Sequence, residues 1–307
     1  MVTGTSVHIR HVAACPEVDP TLCAEQDIPD HWHDQQIAWF RLDPTLNVGL
    51  GAGWQVSASV PFDLRAIAVR YETMGGAAFD PPYADIHHRD ETLGGLADGL
   101  LLAGRYAPID NHATLGVRAG TTLPFGKTEE DPFALTEQGL THQHIQLGTG
   151  TFVPTVAVEG VLAGKRWGGA AWATGRLPIY TNGEGYQPGA GVQAGLGPTW
   201  RPLPPLTLLT TLEGSYEAPE RWSGTPYGGR ATGLVGVSGL YTLSAALVLQ
   251  AQARLTVLSW DRPTDDDDEG SAVQRVLGSV GVSWTPPTLR APDPEGSPPR
   301  PAEAAVP

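Results

Sequence analysis

Apolar and polar residues alternate along most of this chain with a period of two, as in strands whose side chains point to opposite faces. The clearest run places Thr114, Gly116, Arg118, Gly120 and Thr122 on one face and Leu115, Val117, Ala119, Thr121 and Leu123 on the other. Pro124-Phe125-Gly126 ends it, an acidic loop follows, and the pattern predicts an extended return over His142–Val161, broken near Pro154. Strand, long polar loop and returning strand make a hairpin that the rest of the chain repeats with variations.

Read in order, the pattern predicts strands over Thr5–Val12, Gln35–Val48, Trp54–Tyr71, Leu93–Pro108 and His112–Phe125. Further strands are predicted over His142–Val161, Arg166–Leu177, Tyr186–Arg201, Leu206–Ala218, Gly228–Leu240, Leu243–Leu258 and Ala272–Thr285. Short turns fall near 49–53, 109–111, 162–165, 202–205 and 241–242. Long loops fall near 13–34, 72–92, 126–141, 178–185, 219–227 and 259–271. About twelve strands, with connections alternating in length, predict an all-β fold: a closed antiparallel transmembrane β-barrel with short periplasmic turns and long extracellular loops. A soluble closed barrel of the ligand-carrier type is the competing architecture.

The two faces sharpen this reading. One is Leu, Val, Ala and Phe, with Trp54, Tyr106, Phe125, Trp200 and Trp284 at strand ends as candidate interface girdles. The other is Gly, Ser, Thr and Gln with charges. Its candidate lumen-lining residues are Arg41, Asp43, Asp63, Arg65, Arg105, Arg118, Glu159, Glu213, Gln250, Gln252 and Arg254. A closed sheet leaves no unpaired edge, as hydrocarbon requires.

Composition narrows the function classes. The 307 residues carry 38 Gly and 28 Pro, a formal charge of −14, and only two lysines, Lys127 and Lys165. An acidic chain with pI near 4.9 makes a poor nucleic-acid partner. No run of 18 apolar residues exists, so no transmembrane helix is expected; no secretory signal is read at the start. Cys15 and Cys23 share one polar segment, and a local disulfide formed in an oxidising compartment is expected there, with free thiols as the alternative. Residues 1–287 read as one barrel domain and 288–307 as a disordered proline-rich tail.

Three segments recur in a telling order: Glu91-Thr92-Leu93-Gly94-Gly95-Leu96-Ala97-Asp98, then Ala119 to Gly126 (AGTTLPFG), then Leu147 to Pro154 (LGTGTFVP). In these the chain resembles the transporter-like outer-membrane barrels of the "meta-pathway of phenol degradation" family, over roughly residues 36–285. The family's GLGD element reads Gly-Leu-Ala-Asp here, a small departure. The resemblance implies integral residence in a Gram-negative outer membrane, contact with lipid, and uptake of small hydrophobic or aromatic compounds.

Candidate chemistry lies in the loops. His31, His33, His87, His88, His142 and His144 fall in or beside three long loops, and His-x-His in extended backbone turns both rings to one face, suited to a transition metal. Solvated, mutually packed histidines are the alternative. Asp265–Glu269 could hold calcium but lacks the spaced pattern of a dedicated loop, so a solvated acidic loop competes with it. The lumen charges could select solutes or simply hold the wall together as ion pairs. Gly49, Gly51 and Gly53 open no helix and make no dinucleotide site. No GxSxG occurs and no serine lies near His142 or His144, so no enzyme is expected. Two functions remain: a narrow channel for small molecules, or a metal-binding or scaffolding barrel acting through its loops, with an oligomer or protein partner compatible with either.

Overall fold

The computed structural model describes residues 1–13, 28–84, 89–261 and 271–286. Cys15, Cys23, His87, His88, Asp265–Glu269 and the proline-rich tail lie outside them, as do the disulfide, the calcium loop and the disorder expected there. The described chain is almost wholly β. It runs β1 (Val2–Ala13), β2 (His31–Leu42), β3 (Thr45–Gly51), β4 (Trp54–Ser59), β5 (Phe62–Thr73), β6 (Ala78–Phe79), β7 (Glu91–Leu96), β8 (Gly99–Pro108) and β9 (Ala113–Leu123). A one-turn helix α1 (Pro132–Thr136) follows, then β10 (Pro154–Leu162), β11 (Trp167–Arg176), β12 (Tyr186–Gln187), β13 (Gly191–Leu203), β14 (Leu206–Glu217), β15 (Glu220–Trp222) and β16 (Thr225–Tyr227). The chain ends in β17 (Arg230–Ser244), β18 (Leu247–Asp261) and β19 (Ser271–Trp284). No helix among the described residues is long and apolar enough to cross a membrane.

Sixteen of the strands form one antiparallel sheet. Most neighbours in sequence are neighbours in space, and β1 pairs with both β2 and β19, so the first and last strands lie side by side. The count exceeds the expected twelve for a local reason. Pro44 and Pro61 cannot donate to a ladder, and the long strands break beside them. Across the breaks the register carries on: Leu42 faces Phe62 and Thr45 faces Ser59, while Leu96 faces Phe62 and Leu100 faces Ser59. Bonds from Val60 N to the Pro44 carbonyl and from Ala97 N to the Pro61 carbonyl span the gaps.

The two faces differ sharply. Leu196, Leu212, Val280 and Val282 are each about 60% exposed or more, and Phe40, Leu64, Val117 and Val156 stand out beside them. So large an apolar surface needs a covering medium. Exposed Trp54, Trp167, Trp200, Tyr241 and Trp284 sit beside the short turns, with Trp167 stacked on Trp200 at 5.8 Å. Tyr106, expected among these aromatics, is not: its hydroxyl donates to Glu159 on the other face.

Two further expectations are corrected. The return after the acidic loop is strand only from Pro154; 141–153 carries no strand. Gly139 and Gly150 take φ of 64° and 65°, the left-handed region that favours glycine, and turn the backbone out of any ladder. The predicted strand Tyr186–Arg201 is interrupted at Pro188; β12 leaves the main sheet and joins β15 and β16 in a separate three-stranded sheet.

Candidate functional site

The polar face of the sheet is cross-tied by three buried ionic clusters. Arg41 faces Asp63 directly across β2 and β5 and binds it with two bonds of 2.6 and 2.9 Å; Arg65 adds a third at 2.9 Å. Asp63 is fully buried. The Trp39 ring packs against both guanidiniums, at 4.9 and 4.7 Å from its centre, a cation–π contact of about 1 kcal/mol or more when desolvated. On β9 and β10, Arg118 pairs with Glu159, which also accepts from Tyr106. On β18 and β14, Arg254 binds Glu213 at 3.0 Å, and Thr211 donates to the same carboxylate at 2.7 Å.

Glycine makes two of these ties possible. Gly116 lies between Tyr106 and Glu159 in the ladder, and a Cβ there would sit 2.5 Å from the tyrosine ring. Gly236 lies on β17 between Glu213 and Arg254, and its Cβ would fall 2.5 Å from Thr211 Oγ1. Each glycine is a saddle over which a long side chain crosses one strand to reach the next.

Of the other expected face residues, Gln252 turns its amide oxygen to accept from Arg254 and Ser238, and Gln250 reaches the Met1 sulfur at 3.4 Å over Gly281. Asp43 accepts through its backbone carbonyl from Met1. Arg105 is a correction: it pairs in the ladder with exposed Trp54 and donates to the Ala52 carbonyl, apart from Glu159 and Glu213.

The segment between β9 and β10 lies against this polar face. Arg65 donates to the Gln146 carbonyl, Arg89 to the His142 carbonyl, and Gln143 to Glu91. Its seat is Asp98, which accepts from Gly126 N at 3.1 Å and from both Thr149 N and Thr149 Oγ1 at 2.7 Å. Lys127 closes the base by accepting from Leu147 N and Gly148 N. Gly148 has no room for a side chain: a Cβ would lie 2.5 Å from Asp98 Oδ1 and from Gly126 Cα. The three motif segments of the sequence thus meet at one point. Further out, Asp131 caps α1 and accepts from Ser223, Phe133 stacks on Tyr227 at 3.7 Å, and Asn182 donates to the Thr149 carbonyl. Glu220, bonded by Tyr186 and Trp222, has its carboxyl pushed upward by burial.

The four candidate histidines that are described form two pairs. His31 and His33 are fully buried with Nε2 atoms 3.1 Å apart; Tyr83 Oη lies 2.5 Å from His31 Nε2. His142 and His144 have ring centres 5.1 Å apart, and His142 donates from Nδ1 to the Leu140 carbonyl. Burial lowers both, His144 to about 3. His11, Tyr83 and Asp98 were not singled out as site residues from sequence. His11 packs on His33 at 4.9 Å and lies near enough to His144 to oppose its protonation. Its signal was available: β1 is extended, and His11 faces His33 in the β1–β2 ladder. Among the described residues no group of three His, Cys, Asp or Glu side chains is gathered for a metal.

No protein-family model and no curated protein matches the sequence. Among solved structures, the chain is similar to an outer membrane channel from Pseudomonas putida F1, with a TM-score of 0.53 and 13% identity over 92% of this chain and 94% of that one. It also aligns with a FadL homologue from Pseudomonas aeruginosa (TM-score 0.37, 11% identity, 92% and 90% covered) and with OmpT of Vibrio cholerae (0.34, 8%, 92% and 98%). The first likeness speaks for a shared fold; the other two are too distant to carry argument. The resemblance to the phenol-degradation family therefore rests on the three motifs alone.

Proposed function

We propose that the chain is an integral outer-membrane barrel that passes small molecules through a narrow lumen, with the 124–153 segment setting the passage. Three observations support closure. β1 pairs with β19, the register is continuous across the proline breaks, and rejoining the broken strands leaves twelve staves once the two-residue β6 is set aside. The apolar face then meets lipid, the turn-side aromatics mark one boundary, and the clusters around Asp63, Glu159 and Glu213 line the interior. Residues 1–287 form this single domain. Short connections (52–53, 109–112, 163–166, 204–205, 245–246) and long ones alternate, which in an antiparallel sheet puts them at opposite ends, as in outer-membrane barrels.

The observation that carries the reading is the Asp98 seat. A segment bonded to the polar face by its backbone narrows the space that face encloses. The motif resemblance and the named channel among the structural neighbours favour a small, hydrophobic or aromatic solute and no catalysis. Planar-bilayer recordings of the refolded protein test it. The wild type is expected to conduct weakly and Asp98→Ala more strongly. No conductance from either protein, with folding verified, overturns the channel reading; equal conductance overturns the role of the segment.

A further inference from the structure

We propose that His31, His33 and Tyr83 form a binding site for one transition-metal ion of the zinc–copper class. The argument begins at His31. Its Nδ1 lies 2.8 Å from the Pro29 carbonyl, an acceptor only, so in the neutral ring Nδ1 carries the hydrogen and Nε2 presents a bare lone pair. One lone pair serves one good hydrogen bond, yet two polar atoms crowd it: Tyr83 Oη at 2.5 Å and His33 Nε2 at 3.1 Å. A shared cation resolves this crowding. Two nitrogens 3.1 Å apart match two ligands that each lie about 2.0–2.1 Å from one ion at an angle of roughly 100°, and Tyr83 Oη, 2.5 Å from His31 Nε2, joins them by drawing back under about 1 Å.

The surroundings fit as well. A metal-bound imidazole almost always donates its second N–H to a carbonyl or carboxylate, which fixes the tautomer; the His31–Pro29 bond already does this. All three side chains are fully buried, and Tyr71 and Phe79 wall the site. Two imidazoles and a phenolate form a nitrogen–oxygen set suited to Zn(II) or Cu(II) rather than to calcium or magnesium. Binding exchanges the Tyr83 hydroxyl proton for the cation. His142 and His144 are a different case: their bonds to Leu140 and Thr136 and their packing on Phe133 build the inward segment.

The test is titration of the tag-free, refolded full chain with Cu(II), followed by electron paramagnetic resonance and absorption. One equivalent should bind, with hyperfine coupling from two imidazole nitrogens and a tyrosinate-to-copper charge-transfer band. Tyr83→Phe, which preserves the packing, should lose the band. His33→Gln should weaken uptake at least about a hundredfold, beyond the loss typical of an outer-shell change. Cu(II) should in turn displace prebound Zn(II), the order expected of a nitrogen–oxygen site. Absence of saturable uptake by the wild type, or uptake and spectrum unchanged in both variants, overturns the proposal. So does uptake abolished only by His142→Ala with His144→Ala. If His33→Gln fails to fold, the band in wild type and its loss in Tyr83→Phe decide alone.

Discussion

Asp98 and Thr149, 51 residues apart in sequence, are joined by two hydrogen bonds of 2.7 Å, one to the backbone amide and one to the hydroxyl. This pair converts a long loop into a segment of defined position. Charge-assisted bonds of this kind contribute about 1.5–3 kcal/mol each, and the carboxylate spends a further acceptor on Gly126.

Gly148→Val should unseat the segment. The added Cβ would overlap Asp98 Oδ1 and Gly126 Cα, and neither can move without breaking the seat. Cleavage by trypsin after Lys127 reports it, because the Lys127 carbonyl is held by Leu147 N and Gly148 N in the seated state. The variant should be cut at least tenfold faster while its β-sheet circular dichroism is retained. An unchanged cutting rate defeats the prediction.

Gly116→Ala should destabilise by about 1–3 kcal/mol, the usual cost of overpacking, because its Cβ would press into the Tyr106 ring. Removing the ring should remove the conflict. In a double-mutant cycle with Tyr106→Leu, the cost of Gly116→Ala should fall to near the value for an open strand position. Equal costs in both backgrounds would show that the saddle carries no strain.

Asp63→Ala should cost about 1–3 kcal/mol, since it leaves the half-buried Arg41 and Arg65 without their common carboxylate. Replacing all three by apolar residues of similar size should cost much less. Urea midpoints in detergent measure both, and a triple variant as unstable as the single one would refute the argument.

How much of this was legible in the sequence follows from period and reach. Strand existence and facing are period-two properties, and the run Thr114–Leu123 gave its own faces directly. The proline breaks were visible as Pro44 and Pro61, yet whether a proline ends a strand or merely interrupts it depends on the partner's register. The segment 141–153 reads as strand because His142, His144 and Gln146 alternate with Gln143, Ile145 and Leu147, while the deciding contact, Asp98 to Thr149, is non-local. Arg105 was assigned to the polar face by charge; its place follows from its ladder partner Trp54, which no local pattern reveals. Tyr106 fell on the wrong face because an aromatic at a strand end matches a girdle as well as it matches a lid over Gly116.

Acidification should loosen the inward segment before the sheet. His142 and His144 sit lower in the folded chain than their ordinary value near 6.5, His144 at about 3, chiefly through burial. A base with a lowered folded pKa binds fewer protons folded than unseated, so stability rises with pH across that window. Their contribution is whole above about 6.5 and is lost progressively as pH falls from there toward about 3. Groups facing them reinforce the sign: Arg89 opposes a charge on His142, and His11 and His142 oppose one on His144. Phe133, Thr136 and Leu140, which pack on or bond to the two rings, contribute no charge. Glu220 in the three-stranded sheet acts oppositely, because burial raises its carboxyl and favours the protonated form. Hydrogen exchange of the Leu147 and Gly148 amides, corrected for intrinsic rates, should therefore be faster at pH 5 than at pH 7.5. The double variant His142→Gln with His144→Gln should show much less of this acceleration. Equal acceleration in the variant would assign the pH response to another group.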